Sequence, residues 1–509
     1  MTDRRTSAGL LDSSDGGARI RSTFAPIAAL LLGTGILLLG NGLLGTFLPL
    51  RANIEAFPGP AIGIMGSGYF TGFAAACVLV PFAVRRVGHI RAFAALAALA
   101  SSAPLLHLML LSPLPWMVLR LATGFCMAGL YMVIESWLNE RATNANRGLV
   151  LSVYTVVNLT ALTGGQLLLI LFDPSTFQLF CLGSVLVSLA ALPVALTTAV
   201  QPAPIATVRL RVGRLYRISP VGMMGCFAVG LANGPFWTLG SVYAQDVGLD
   251  ARGIALFMAS VIVGGALLQW PLGRLSDLGD RRRVVLVVSV LAGMTGAILV
   301  MARTGRLDWL GDVHAVVLAA GFMFGAFALP LYAICVAHTN DFIESEDFTE
   351  AASGLLLAYG VGAAIGPMLA SALTGRYGSG VIFGFTALIH MLFAMLVAWR
   401  MTRRPAAEAP SEFMDTPRTS PAMLTLDPRA EPLEEGPAGP DEDEEAAAML
   451  KQLFAGHTIT MTVRGSEVVE TNMTTAEDGK SATIVIPFDD LLAGSADVPD
   501  EAYAVVKAE

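Results

Sequence analysis

Asn41-Gly42-Leu43-Leu44-Gly45-Thr46 and Asn233-Gly234-Pro235-Phe236-Trp237-Thr238 stand 192 residues apart and share the pattern Asn-Gly-x-x-x-Thr inside two apolar stretches. Without a gap, the same offset carries Gly72 onto Gly264 and the basic loop Arg85-Arg86-Val87-Gly88-His89-Ile90-Arg91 onto the loop from Asp277 to Arg283. Unrelated helices would not keep register through two apolar spans and a loop, so this fixed offset points to an internal duplication. The chain reads as two related halves.

Composition puts those halves in a membrane. Hydrophobic residues make up 54% of the chain and charged residues 14%, where a soluble globular chain carries about a quarter charged. The net charge of −8 divides unevenly: residues 401–509 hold 22 acidic and 8 basic residues, a net of −14, and residues 1–400 hold 18 and 24, a net of +6. The five cysteines (Cys77, Cys126, Cys181, Cys226 and Cys335) lie at scattered spacings in apolar stretches. They suggest neither a disulfide framework nor a metal site, and behave as small hydrophobes.

A bilayer core about 30 Å thick asks for roughly 20 apolar residues per helix. Twelve segments meet that measure, near 25–50, 59–84, 91–112, 114–138, 149–172, 177–199, 218–244, 253–273, 284–302, 313–338, 351–375 and 380–400. Six lie on each side of the polar stretch 201–217. The first is too long for a signal peptide, and no cleavage site is evident, so it is expected to stay as a helix. Cytoplasmic loops retain arginine. With the N-terminus inside, twenty arginines fall on the cytoplasmic side and five (Arg51, Arg252, Arg303, Arg306 and Arg376) on the other. Both termini are therefore expected in the cytoplasm, despite one purely acidic loop near 339–350, since acidic residues weigh little in this rule.

The expected architecture is an all-α membrane protein of twelve transmembrane helices in two pseudo-symmetric six-helix bundles. Residues 1–22 form a cytoplasmic tail, 23–200 the first bundle, 201–217 a basic cytoplasmic loop and 218–403 the second bundle. Residues 404–446, rich in Pro, Ala and Glu, cannot bury enough apolar surface to fold and read as an acidic linker. Residues 447–509 read as a small cytoplasmic α/β segment: a helix near 446–454, then alternating strands at 458–463 and 481–486. This tail is either a flexible passenger or docks on the basic cytoplasmic loops.

Two six-helix halves with basic loops resemble the major facilitator superfamily, over residues 20–404. Members carry G-x-L-x-D-R-x-G-R-K between helices 2 and 3 and again between 8 and 9. Here the second copy reads Gly273-Arg274-Leu275-Ser276-Asp277-Leu278-Gly279-Asp280-Arg281-Arg282-Arg283. The first copy keeps Gly88 and Arg91 but has Pro81 for Gly and Arg85 for Asp, and Arg85 cannot play the Asp's part. The resemblance implies that Arg85, Gly88, Arg91, Gly273, Asp277 and Arg281 belong to a cytoplasmic latch between neighbouring helices. Arg120-x-x-x-Gly124 is similar to the pattern of proton-coupled exporters in the fourth helix. The eleventh segment has Gly360-x-Gly362-x-x-x-Gly366-Pro367, and the fifth only Gly164-Gly165 where exporters show a fuller Gly-Pro pattern. Glu135-Ser136-Trp137-Leu138-Asn139-Glu140-Arg141, running on to Arg147-Gly148, looks like a poorly characterised bacterial subgroup of the superfamily, which names no substrate.

Polar groups inside the spans are the candidate site. An arginine at a helix centre costs roughly 2.5–3.5 kcal/mol on insertion scales, so it tends to face a cavity or partner. Arg120 is the candidate for substrate or proton coupling; its structural alternatives are capping a neighbouring helix or reaching to the interface. Glu135, fifteen residues along the same helix, is about 22 Å away along the axis. It reads as a latch to the basic loops at Arg85, Arg86, Arg141 or Arg147, or as a proton-carrying carboxylate. Asn41 and Asn233 are expected to face each other across a central cavity, or else to clasp helices. Gln166, Asn158, Gln269, Trp237, Trp270, Tyr131 and Tyr359 complete the cavity candidates, while His390 and His89 read as structural.

The expected function is secondary active transport of a small solute across the bacterial cytoplasmic membrane by alternating access. No G-x-x-x-x-G-K-[ST] loop for ATP occurs, so an ion gradient is the expected source of energy, and the resemblance to proton-coupled exporters implies protons as the coupling ion. No nucleophile–base set or metal cluster suggests an enzyme, and a monomer in the bilayer without cofactor, metal or nucleic-acid partner is expected. The alternative is a non-transporting scaffold or sensor that anchors the C-terminal segment.

Overall fold

The computed structural model describes residues 27–142, 146–195, 212–307, 309, 311–343, 348–403, 405, 413, 418–420, 458–464, 467–471, 473–476, 478, 480–487 and 504–507. Residues 1–431 and 432–509 form two separate units.

In lipid every backbone N–H and C=O must find its partner within the protein, and a helix does this locally. The first half contains α1 (Ala28–Ile54), α2 (Gly59–Val87), α3 (His89–Met109), α4 (Pro113–Arg141), α5 (Arg147–Leu167, extended by a 3-10 turn at Leu168–Leu171) and α6 (Gln178–Ala195). The expected loop 201–217 differs at its described end, where Val212–Ile218 forms the short helix α7. The second half contains α8 (Pro220–Asp246), α9 (Ala251–Asp277), α10 (Arg281–Arg303), α11 (Val313–Ala328), α12 (Leu331–Asn340), α13 (Phe348–Tyr377) and α14 (Val381–Met401). α11 and α12 are one span broken at Leu329–Pro330. A helix thus lies over each of the twelve apolar segments, and among the described residues ten spans are long and apolar enough to cross a membrane; the shorter α6 and the 27-residue α8 fall outside that set.

Local chemistry sets the helix starts. Asp250, Asp280 and Asp312 each accept from a backbone N–H two or three residues on, at 2.8, 3.0 and 2.9 Å, filling donors that a first turn leaves open. Pro113 and Pro220 open α4 and α8, where a missing N–H is no loss. Gly88 alone joins α2 to α3 at φ +82°, a conformation that a Cβ would strain.

The 192-residue repeat reappears as packing. Gly72 of α2 lies against the backbone of Leu121 and Phe125 in α4; its counterpart Gly264 of α9 lies against the backbone of Phe322 and Ala326 in α11. Small residues allow this backbone approach in lipid, where close packing replaces the hydrophobic effect between helices.

Two cores belong to one half each. One, around Tyr131, Trp137 and Tyr154, draws on residues 27–194; another, around Tyr332, Leu355 and Val397, draws on residues 215–397. A third core is shared and joins Phe47, Trp116 and Phe180 to Phe236, Tyr243, Phe257, Phe324 and Phe383. It lies where α1 and α8 end and α2 and α9 begin. The halves are therefore sealed at that end and part toward the other, where α2, α4, α9 and α14 finish. Contacts between them run through α2 with α13, α5 with α9, and α1 with α8.

Residues 432–509 contain β1 (Thr458–Arg464), β2 (Glu467–Thr471), β3 (Thr474–Thr475), β4 (Ser481–Pro487) and β5 (Ala504–Lys507). β4 pairs antiparallel with β1, from Thr458 opposite Pro487 to Arg464 opposite Ser481, and with β3; β2 pairs with β5. The alternating stretches expected as strands are this β1–β4 pair. The helix expected near 446–454 and most of the linker 404–446 lie outside the described residues.

Candidate functional site

A cavity of about 370 Å³ lies between the halves, walled by α1, α2, α4 and α5 on one side and α8, α9, α12 and α13 on the other. The first wall is organised around Asn41. Its Nδ2 donates to the Tyr131 hydroxyl at 3.2 Å, and its Oδ1 accepts from the Tyr69 hydroxyl at 3.2 Å. The Arg120 guanidinium lies 4.3 Å from the centroid of the Tyr69 ring, an aromatic face that attracts a cation. Gln166 accepts from the Thr46 hydroxyl.

The second wall presents Trp237, Gln269, Ser353, Tyr332 and Tyr359, the last two edge to face with centroids 5.3 Å apart. Among the described residues lining the cavity the charged ones are Arg120 and Arg418, and none is a carboxylate. Such a surface can pair an anionic group with a guanidinium, hold carbonyls and hydroxyls with amides, and stack planar groups on phenol rings.

The structure brings together Asn41, Arg120, Gln166, Trp237 and Tyr359, with Tyr131, Asn158 and Gln269 beside them. It sets Asn233 apart. Asn233 is fully buried and donates through Nδ2 to the Ala328 carbonyl at 3.3 Å, so the expected pairing with Asn41 across the cavity is replaced by a clasp between α8 and the α11–α12 break. Trp270 is 71% exposed on the outside of α9 and does not line the cavity. His390 is buried against Phe324 in α14, and His89 against Trp137.

Of the latch candidates, the second loop is a tight ionic cluster. Arg281 is buried and pairs with Asp277 and with Asp341, each at 2.8 Å, and donates to Ser276 at 2.7 Å. Asp341 comes from the acidic loop, a partner that the motif does not contain. Burial raises the pKa of the Asp280 carboxyl, and the hydrogen bonds and charge of Arg282 outweigh burial and hold it below its ordinary value. Gly273 lies against the Phe413 ring. Arg85 and Arg91 are exposed at the altered first loop, beside Gly88. Glu135 is fully buried, and the partners found for it are the Tyr154 hydroxyl and the Ser420 hydroxyl, in place of the expected arginines.

Ser420 and Arg418 are the residues that sequence reasoning missed. They stand in the stretch read as linker, yet Arg418 and Thr419 line the cavity. Their signal was small: one aromatic, Phe413, and three scattered arginines, Arg404, Arg418 and Arg429, within a Pro- and Glu-rich stretch.

Comparison with known proteins points to a family. The model of the Major Facilitator Superfamily matches residues 222–455. An uncharacterized MFS-type transporter, YcaD, of Escherichia fergusonii is 26% identical over 387 residues, covering 75% of this chain and 98% of that protein. The chain is thus similar to the major facilitator superfamily, through the family model over much of its second half and through relatives over about three quarters of its length. It is a membrane transporter of a poorly characterised branch. A further relative, the uncharacterized MFS-type transporter Ent638_1421 of Enterobacter sp. (strain 638), is 26% identical over 392 residues, covering 76% of this chain and 99% of its own. Among solved structures, the nucleoside transporter NupG aligns with TM-score 0.63 at 12% identity, over 75% of this chain and 100% of that one. A bacterial homolog of the human lysosomal transporter Spinster aligns with TM-score 0.59 at 12% identity, over 75% and 99%. These last two show a shared fold.

Proposed function

We propose that this superfamily transporter is a secondary active transporter that moves a small solute bearing an anionic group by alternating access, coupled to protons. The observation that carries the proposal is the cavity between the halves, sealed at one end by a core common to both and parted at the other, with Arg120 in its wall. Rocking two bundles about such a midplane site exposes it to each side in turn. Arg120 is held in the membrane with an aromatic face beside it and no carboxylate among the described lining residues, a setting suited to receive an anion.

The rest of the reading follows from sequence and supports it. α6 and α8 complete twelve spans, the arginine asymmetry puts both termini and the parted end in the cytoplasm, and the buried carboxylate Glu135 is the candidate proton carrier on the helix that holds Arg120. The test is uptake into proteoliposomes of a panel of labelled organic anions, with and without an imposed proton gradient. Uptake driven by the gradient for one class of anion is expected. Uptake that is indifferent to the gradient would remove the coupling, and selective uptake of organic cations would remove the substrate class.

A further inference from the structure

Phe413, Arg418, Thr419 and Ser420 follow α14 in the chain, yet they stand in the mouth that the two halves leave open. The Phe413 backbone N–H donates to Asp277 Oδ2 at 3.0 Å, and its ring covers Gly273 near the end of α9. The Arg418 guanidinium lies 5.5 Å from the Tyr332 ring centroid and 5.4 Å from that of Tyr359. Ser420, fully buried, donates its hydroxyl to Glu135 of α4. Arg418 thus holds to the second half and Ser420, two residues on, to the first.

We propose that these residues are a built-in plug: Arg418 occupies a cation-receiving subsite formed by Tyr332 and Tyr359, and the short strap from Arg418 to Ser420 props the halves apart until it is released. The proposal rests on the alternating-access reading. For the site to face the other side, the parted end must close and bring Glu135 of α4 toward Tyr332 and Tyr359 of α12 and α13. The space between them is filled by Arg418, Thr419 and Ser420. Packed protein does not compress to absorb three residues, so closure requires that they leave. Phenol rings take a cation on their faces, which makes a guanidinium or similar planar cation the ligand class of this subsite. A tethered group acts at an effective concentration in the millimolar range, so the plug is reversible and transport is held back without being abolished.

The test needs no substrate. Nitroxide labels are placed by Arg86→Cys and Arg283→Cys, exposed positions of opposite halves near the parted end. The background is Cys77→Ala with Cys181→Ala, since the other three cysteines are buried. Distances are measured by pulsed electron resonance in the full chain, with Arg418→Ala plus Ser420→Ala in one variant and Phe413→Ala in a second. A single long distance is expected with the native plug; in both variants a shorter distance, at most about a tenth of the native population, becomes the major one. Two distances in equal proportion in the native chain and the variants would overturn the plug and leave alternating access standing. One long distance throughout would overturn the plug and count against alternating access as well.

Discussion

Asn53 donates from Nδ2 to Gln245 Oε1 at 2.8 Å, and the two residues are 192 positions apart, the offset that relates Asn41 to Asn233. One repeat position therefore meets its own counterpart across the boundary between the halves. Equivalent positions touch near the axis that relates two copies, so this bond marks the sealed end as a place where the duplicated halves meet face to face. Under alternating access it must break when that end opens. Asn53→Ala removes one partly buried hydrogen bond, worth about 1 kcal/mol, and should shift the equilibrium roughly fivefold toward the other state. Spin labels at Phe172 and Arg252, exposed near the sealed end, would read the shift; an unchanged distance distribution would show that the bond does not hold the end closed.

The offset is legible in the sequence because glycines and amides repeat in register. What the offset could not say is which way each copy faces. Asn41 meets the Tyr69 and Tyr131 hydroxyls in the cavity. Asn233 instead meets the Ala328 carbonyl, because the second half breaks its span at Leu329–Pro330 and presents a backbone acceptor there. Arg120 and Tyr359 were readable as polar or aromatic groups that lipid would not favour. Arg418 and Ser420 were hidden by averaging: the composition around them says linker, and a few residues suffice to enter a cavity. Asp341 was hidden because acidic loops carry little topological weight, and its partner Arg281 is found only through contact.

That ionic cluster can be tested by removal. Arg281 is buried between Asp277 and Asp341, and its loss removes the cation that both carboxylates share, so Arg281→Gln should cost about 3–5 kcal/mol and lower the melting temperature in detergent markedly. Asp341→Asn keeps the pair with Asp277 and should cost less. A melting curve for Arg281→Gln equal to that of the native protein would mean that the cluster is incidental.

Asp280 gives a pH dependence. Its carboxyl titrates below its ordinary value because Arg282 outweighs burial. A carboxylate with a depressed folded pKa contributes stability that is present above the unfolded value of about 3.9 and is lost as pH falls through the lower folded value. As the residue that caps α10, Asp280→Ala should cost about 1 kcal/mol at neutral pH. The gap from the native protein should narrow only below about pH 3.9. Thermal melts at neutral and acid pH would show this, and a gap that is the same at both would place the contribution outside the carboxylate.

Arg120 separates use from tolerance. Its charge costs the bundle roughly 2.5–3.5 kcal/mol on insertion scales, and the Tyr69 face returns part of that by cation–π attraction. Arg120→Ala removes the cost and should melt no lower than the native protein. If the guanidinium receives the anionic group of the solute, the same variant loses a charge-assisted contact worth about 1.5–3 kcal/mol. Binding should then weaken roughly 10- to 100-fold and uptake should fall accordingly. Arg120→Lys keeps the charge and lacks the planar fork that binds a carboxylate through two hydrogen bonds, so it should recover part of the loss. Melting temperature and uptake measured on the same preparations distinguish the cases: a stable Arg120→Ala protein with full uptake would show that the charge is carried by the fold and not used by it.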